Sequence, residues 1–195
     1  MLRLARPTAN DVDALVDECS RLDLMLTEFL ASRRGLKAPR LPAGFAHDYS
    51  YGYLGNGTGV FEAAVRAFEN WKQCDLGWVR IANSDVAIEA GNVVMVEIHS
   101  LGLWSLNLSQ IVEVTRNSDG MGFIYKTTAN HVEQGEERFF LTFNERTGEV
   151  HYELEAVSKP QHWLARVGYP YARAFQHKFA RESQRRIREI VAGKF

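Results

Sequence analysis

Tyr125, Thr127, His131, Glu136 and Glu137, five of the side chains between Gly122 and Phe139, can exchange protons or hydrogen-bond a ligand. Two carboxyls, an imidazole, a phenol and a hydroxyl suit either acid–base chemistry or recognition of a polar ligand group. The stretch GFIYKTTANHVEQGEERF reads as a strand, a polar loop and a returning strand, which gathers the five around one hairpin.

Alternation along strands assigns the faces. In 136–144, Glu137 shares a face with Phe139, Leu141 and Phe143, whereas Glu136 shares one with Arg138, Phe140 and Thr142. Phe123, Tyr125 and Thr127 go together, as do Val150, Tyr152 and Leu154. On a further strand the same rule groups Leu106, Leu108, Gln110, Val112 and Val114. The inner surface is therefore expected to be apolar, with Tyr125, Thr127, Glu137, Tyr152 and Gln110 as polar insertions. A carboxylate on such a face must be paired, hydrated or protonated, because desolvating a lone charge is costly. A slip of one residue would turn Glu137 to solvent, and Tyr125 and Tyr152 also read as satisfied core tyrosines. His131 reads as a solvated loop residue, or as a brace bonded to Glu136 or Glu137.

The elements that must position these groups are legible as changes of period. Over 9–34, Val12, Leu15, Val16, Cys19, Leu22, Leu26, Phe29 and Leu30 recur at helical spacing. Pro7 and Thr8 precede that helix, Asp11 completes a capping-box-like arrangement, and Gly35 supplies a stop. Residues 36–50, with Pro39, Pro42 and Gly44, read as a linker, and Tyr51–Leu54 as a short strand. After GNGTG (Gly55–Gly59), Phe61, Ala64, Val65, Phe68 and Trp71 share one face of a second helix. From Trp78 the period becomes two, with strands expected near 78–82, 86–90, 92–99, 106–116, 121–129, 136–144 and 148–157. Turns are expected at Ala90-Gly91-Asn92, Ser118-Asp119-Gly120 and Thr147-Gly148. A final helix runs from Pro170 to about Ala192, with Phe175, Phe179, Ile187 and Ile190 inward and Gln176 able to reach the hairpin.

Gly122, Phe123, Tyr125, Thr127, His131, Gly135, Glu136, Glu137, Arg138 and Phe139 fit the pattern GFxYGTLxGHPxxGEExF. The segment thereby resembles the domain-of-unknown-function family nineteen-ninety. Lys126, Thr128, Asn130 and Val132 depart from the pattern's Gly, Leu, Gly and Pro. The resemblance begins near Leu41 and runs to about Arg181, which divides the chain into an N-terminal helix and linker (1–40) and a family domain (41–195). The element order is similar to that of the helix-grip proteins, the birch-pollen-allergen-like and START-like domains. This implies an α+β fold, a curved antiparallel sheet wrapped around a long C-terminal helix, with an added N-terminal helix.

Composition narrows the function classes. Hydrophobic residues make up 46% and charged residues 24%, and the formal net charge is −1, so nothing draws the whole chain to nucleic acid. Residues 171–195 hold seven Lys or Arg against two Glu, and residues 9–30 hold six acids against Arg21. These two segments are expected either to be solvated or to pair with one another. Cys19 and Cys74 lack metal-ligand spacing, and Cys19 reads as a small buried hydrophobe. The first residues lack the apolar run of a signal peptide, and no segment approaches a membrane span, so a cytoplasmic setting is expected. GNGTG lacks the Lys-Ser/Thr pair of a phosphate loop. His99, His151, Glu97 and Glu153 lie on an outer strand face, and Ser158 with His131 has no nucleophile elbow around it.

These readings give a protein that holds a small apolar or amphipathic molecule between sheet and last helix, with no cofactor and no metal. The tentative ligand-binding set is Tyr125, Thr127, His131, Glu136, Glu137, Tyr152 and Gln176. An enzyme, cyclase- or hydrolase-like, using Glu137 or His131 as acid or base in the same cavity is the alternative. A protein-interaction module is the second alternative, and a homodimer through the N-terminal helix is left open.

Overall fold

The computed structural model describes residues 2–19, 30, 41, 43–128, 131, 133–160 and 169–194. In chain order it contains β1 (Leu2–Arg3), α1 (Ala9–Cys19), β2 (Ala46–Asn56), α2 (Thr58–Glu69), a 3-10 turn (Lys72–Cys74) and β3 (Val79–Ile81). There follow β4 (Val93–Ser100), β5 (Leu103–Asn117), β6 (Gly120–Thr127), β7 (Glu133–Phe143), β8 (Glu149–Pro160) and the helix α3 (Tyr169–Val191). Seven strands run in the order β2-β8-β7-β6-β5-β4-β3, and β1 pairs with β5. Every pairing is antiparallel. The sheet curls into a half-barrel whose inner face holds α3, as the element order implied.

The core lies between that inner face and two helices. Ala64, Ala67 and Phe68 of α2 and Ile187 of α3 meet Phe123, Phe139 and Tyr152 of the sheet. Phe68 sets its ring edge-on to Tyr152 at 5.0 Å, an arrangement favoured by the ring quadrupoles. Tyr152 places its hydroxyl 2.8 Å from Ser183 Oγ, so the phenol enters the core with its polar atom satisfied.

The described part of the N-terminal helix is capped as expected. Thr8 N–H donates to Asp11 Oδ2 (2.9 Å), and Asp11 N–H donates to Thr8 Oγ1 (3.3 Å). With Arg3 only 2.6 Å away, these bonds hold the Asp11 carboxyl at about 2. Val12 packs with Met95, Leu106 and Leu108 on the outer face of the sheet. The described part of the acidic helix, Ala9–Cys19, therefore sits across the sheet from basic α3, and the acids at Asp23 and Glu28 lie outside the described residues. The Cys19 side chain, residues 20–29 and Gly35 lie outside the described part.

Three other expectations are corrected. β2 covers Ala46–Asn56 rather than 51–54, so the last third of the expected linker is strand. Residues 86–90 form no strand; there Val86 accepts the Trp71 indole N–H at 2.9 Å, and Ile88 is buried in the core. The Asn83 side chain bonds both Val93 O and Met95 N–H, taking the ladder positions a strand would have used. Between β4 and β5 the chain reverses at Leu101-Gly102, both with positive φ (51° and 75°), as a two-residue primed turn requires.

The third correction concerns β5. Leu106 and Leu108 face outward under α1, and Gln110 donates to Gly91 O at an exposed edge. The inward positions are Ser105, Asn107, Ser109 and Ile111. The register then shifts between Ile111 and Glu113, a bulge at Val112 that returns Val114 to the inner face. Alternation failed here because α1 covers the outer face, leaving both faces of this strand partly apolar.

Candidate functional site

Strand register lays the site out in rows across the inner face. Through Glu137 the row carries Asp48, Ala156, Glu137, Tyr125 and Ile111. The next row carries Ser158, Gly135, Thr127 and Ser109. On the other side of Glu137, Leu154, Phe139 and Phe123 make the inner face apolar. The half-barrel thus has a polar end and an oily end, and their boundary runs through Glu137.

Backbone approach fixes the hairpin. A Cβ on Gly135 would lie 2.1 Å from Val157 O, so β7 and β8 meet there only because the side chain is missing. Thr127 Oγ1 accepts the Gly135 N–H at 2.9 Å and donates to Gly135 O at 3.3 Å. Its hydroxyl is therefore occupied in holding the β6–β7 strands together.

Tyr125 donates its phenol to Glu137 Oε2. Burial pushes the Glu137 carboxyl up to about 7, against the Tyr125 hydrogen bond and assisted by the Glu133 and Asp48 charges. Burial likewise drives the Tyr125 phenol well above its ordinary value, helped by the Glu137 charge. The exposed fraction of Glu137 opens on the cavity. Glu133 is also raised by burial, despite bonds from Ser158 and Gln176 and the nearby Arg173 charge.

The first turns of α3 clasp this end of the sheet. Gln176 Nε2 donates to Glu133 Oε2 (2.7 Å) and to Ser158 Oγ (3.1 Å). Arg173 forks onto Asp48 and donates to Gln176 Oε1 at 2.7 Å. His131 accepts the Glu133 N–H on Nδ1 at 3.0 Å, which leaves Nε2 to carry the ring proton. Burial lowers the imidazole to about 4, so it is neutral at physiological pH.

Together these groups wall a pocket of about 760 Å³ between sheet and helix. Away from the polar end, Val96, Ile98, Trp78, Phe175 and Phe179 line it. Trp78 meets Phe175 edge-on at 5.0 Å, and Ser100 Oγ lies 2.9 Å from the Tyr171 hydroxyl, so the helix and far edge of the sheet also touch.

Of the expected set, Tyr125, Thr127, His131, Glu136, Glu137 and Gln176 border this pocket, Glu136 without turning its carboxylate into it. Glu136 directs its carboxylate to the other face, where it accepts the Leu30 N–H at 2.7 Å and lies 3.5 Å from Lys126 Nζ. Tyr152 lies in the core, bonded to Ser183. Lys126 occupies the outer face as alternation requires, yet it is only 7% exposed. Ala129, Asn130 and Val132 lie outside the described residues.

Asp48, Glu133, Ser158, Arg173 and Asn107 were missed. Glu133 was findable, because it stands four before Glu137 on the same strand face. Arg173 stands one helical turn before Gln176. Asp48 was hidden by reading 46–50 as linker.

A curved antiparallel sheet closed over a long C-terminal helix, with a pocket between them, defines the helix-grip class of the birch-pollen-allergen-like proteins. Within it the chain belongs to the family described as domain of unknown function DUF1990, which it matches over residues 31–186. It is similar to a UPF0548 protein of Dictyostelium discoideum, 34% identical over 149 residues that span 71% of this chain and 69% of the relative. A UPF0548 protein of Arabidopsis thaliana is 28% identical over 154 residues, 76% of this chain and 74% of the relative. Among solved structures, the di-domain ARO/CYC StfQ from the steffimycin biosynthetic pathway gives a TM-score of 0.52 at 12% identity. The match covers 77% of this chain and 51% of that one. That likeness is one of fold.

Proposed function

We propose that this protein binds a small hydrophobic or amphipathic molecule in the pocket between sheet and α3, in a cytoplasmic setting. The observation that carries the reading is the pocket's make-up: about 760 Å³, mostly apolar walls, and a few polar groups collected at one end. Natural small-molecule sites have this size and composition. Residues 41–195 form the binding domain in this reading, with 1–40 as an added segment. Tyr125, His131, Glu137 and Gln176 supply the polar contacts, while Thr127 holds the hairpin. No helix among the described residues is long and apolar enough to cross a membrane.

Native mass spectrometry of freshly purified protein tests the reading. A mass above 22.1 kDa that reverts to the bare chain on denaturation is the expected result. A bare chain that also fails to take up any apolar probe would refute it.

A second reading has its own observation. A carboxyl at about 7 that faces a mostly apolar pocket is suited to accept or give a proton at neutral pH. In an enzyme of this design Glu137 is the acid or base and Tyr125 orients it. A catalyst would turn over the molecule that a carrier only releases, so the fate of the co-purified compound on incubation separates the two. The interaction-module reading draws less support, because the described face of α1 is spent on its own sheet.

A further inference from the structure

The polar end of the pocket specifies more than an oily guest, an inference that rests on the binding reading above. Its unused capacity is almost wholly for accepting hydrogen bonds. Glu137 receives one bond, from Tyr125, and Glu133 receives bonds from Gln176 and Ser158, whereas a carboxylate can accept about four. Arg173, the cation beside them, is engaged by Asp48 and Gln176. Of the other bases bordering the pocket, His177 and Arg181 are on the exposed side of α3, and His131 is neutral, with the N–H on its Nε2 as its one donor.

A neutral polar atom points the same way. Asn107 is 1% exposed and borders the same pocket, two residues before Ser109 on the inward side of β5. Its Nδ2 donates to Ser105 Oγ at 3.1 Å, while its Oδ1 has no partner among the described residues. A buried carbonyl left without a donor is costly and uncommon. Gly135 stands between Glu133 and Glu137 on β7, over a Cα span of about 13 Å, and borders the pocket without a side chain of its own, β8 lying against it.

We propose that the pocket takes an amphipathic amine, its protonated nitrogen held at the polar end by Glu137 and its apolar body under α3 toward Trp78 and Phe175. An ammonium supplies three donors and no acceptor, which matches what this end lacks. A fatty acid would instead bring a third uncompensated carboxylate into a low-dielectric site, where like charges repel strongly. An alcohol offers a single donor and no charge.

Calorimetric titration of the full chain with n-octylamine, n-octanol and octanoate at pH 7.5 tests this. Octylamine is expected to bind at least about tenfold more tightly than either matched probe. Glu137→Gln should remove most of that preference, bringing octylamine and octanol to within about twofold of one another. Because the bound cation favours the ionised carboxyl, octylamine binding should release protons, seen as a heat that varies with the buffer's ionisation enthalpy. This last readout needs only the unmodified protein. Equal affinity for octanol or octanoate, or octylamine binding without proton release, overturns the amine proposal and leaves the pocket reading standing. If none of the three probes binds, the pocket reading falls with it.

Discussion

Glu136 and Glu137 are consecutive, identical and both inside the hairpin, yet they live in opposite worlds. Glu136 faces outward beneath Leu30, with the Lys126 ammonium 3.5 Å away and a backbone N–H at 2.7 Å. Glu137 faces inward and has one phenol for company and two further carboxylates in its field. The pair shows that burial of a charge is not by itself a sign of function. A buried carboxylate that has its cation is architecture; one that lacks it is the candidate for a binding or chemical role.

The largest expected effect lies on the architectural side. Glu136→Gln strands a buried Lys126 and should lower stability by roughly 3 kcal/mol, read from urea denaturation. Adding Lys126→Met should restore most of it, because removing both charges avoids the stranded one. If Glu136→Gln is harmless, the contrast between the two faces fails.

A smaller effect with the opposite character is expected at Glu137. Its folded value of about 7 lies above its ordinary 4.5, so the folded chain holds the proton more tightly than the unfolded one. The stabilisation this supplies is complete below pH about 4.5 and is lost as pH rises through about 7, by at most about 3 kcal/mol. Glu137→Gln cannot lose a proton, so its melting temperature relative to wild type should climb between pH 5 and pH 8. Melting curves that stay parallel across that range would place Glu137 in water.

The smallest effect sharpens the comparison. Tyr125→Phe removes one hydrogen bond and should cost about 1 kcal/mol. That bond favours ionised Glu137, so its loss should raise the carboxyl further, as carbon NMR titration of the labelled glutamate would report. A downward shift would mean that burial is not what governs this carboxyl.

How much of this could be read in the chain depended on how many faces each strand leaves wet. β7 and β8 alternate visibly, so the directions of Glu136, Glu137, Phe139 and Leu154 followed from period two alone. β5 does not, since α1 covers Leu106 and Leu108 while the inner row carries Ser105, Asn107 and Ser109. Asn107 thus stayed invisible as a pocket residue. The Asp48–Arg173 fork and the Gln176–Glu133 bond join positions 125 and 43 apart in the chain, and no local pattern announces such pairings. Gly135 and Gly122 were visible as motif letters. Their reason, a Cβ that would lie 2.1 Å from Val157 O and one 2.3 Å from Phe140 Cδ2, is a fact of packing.

The bulge at Val112 is one residue more than the ladder needs, and that bears on which changes of length the gene can accept. Up to Ile111 the odd-numbered residues of β5 face inward, and from Val114 the even-numbered ones do. Loss of the Val112 codon would close the bulge and leave Ile111, Glu113 and Val114 opposite Tyr125, Ile124 and Phe123 as they are now. Both halves of the strand would keep their faces, and what would go is the local bend and added twist that the extra residue supplies. Lineages of this gene should therefore accept the loss of that one codon, as they accept changes of length at the Ser118-Asp119 turn.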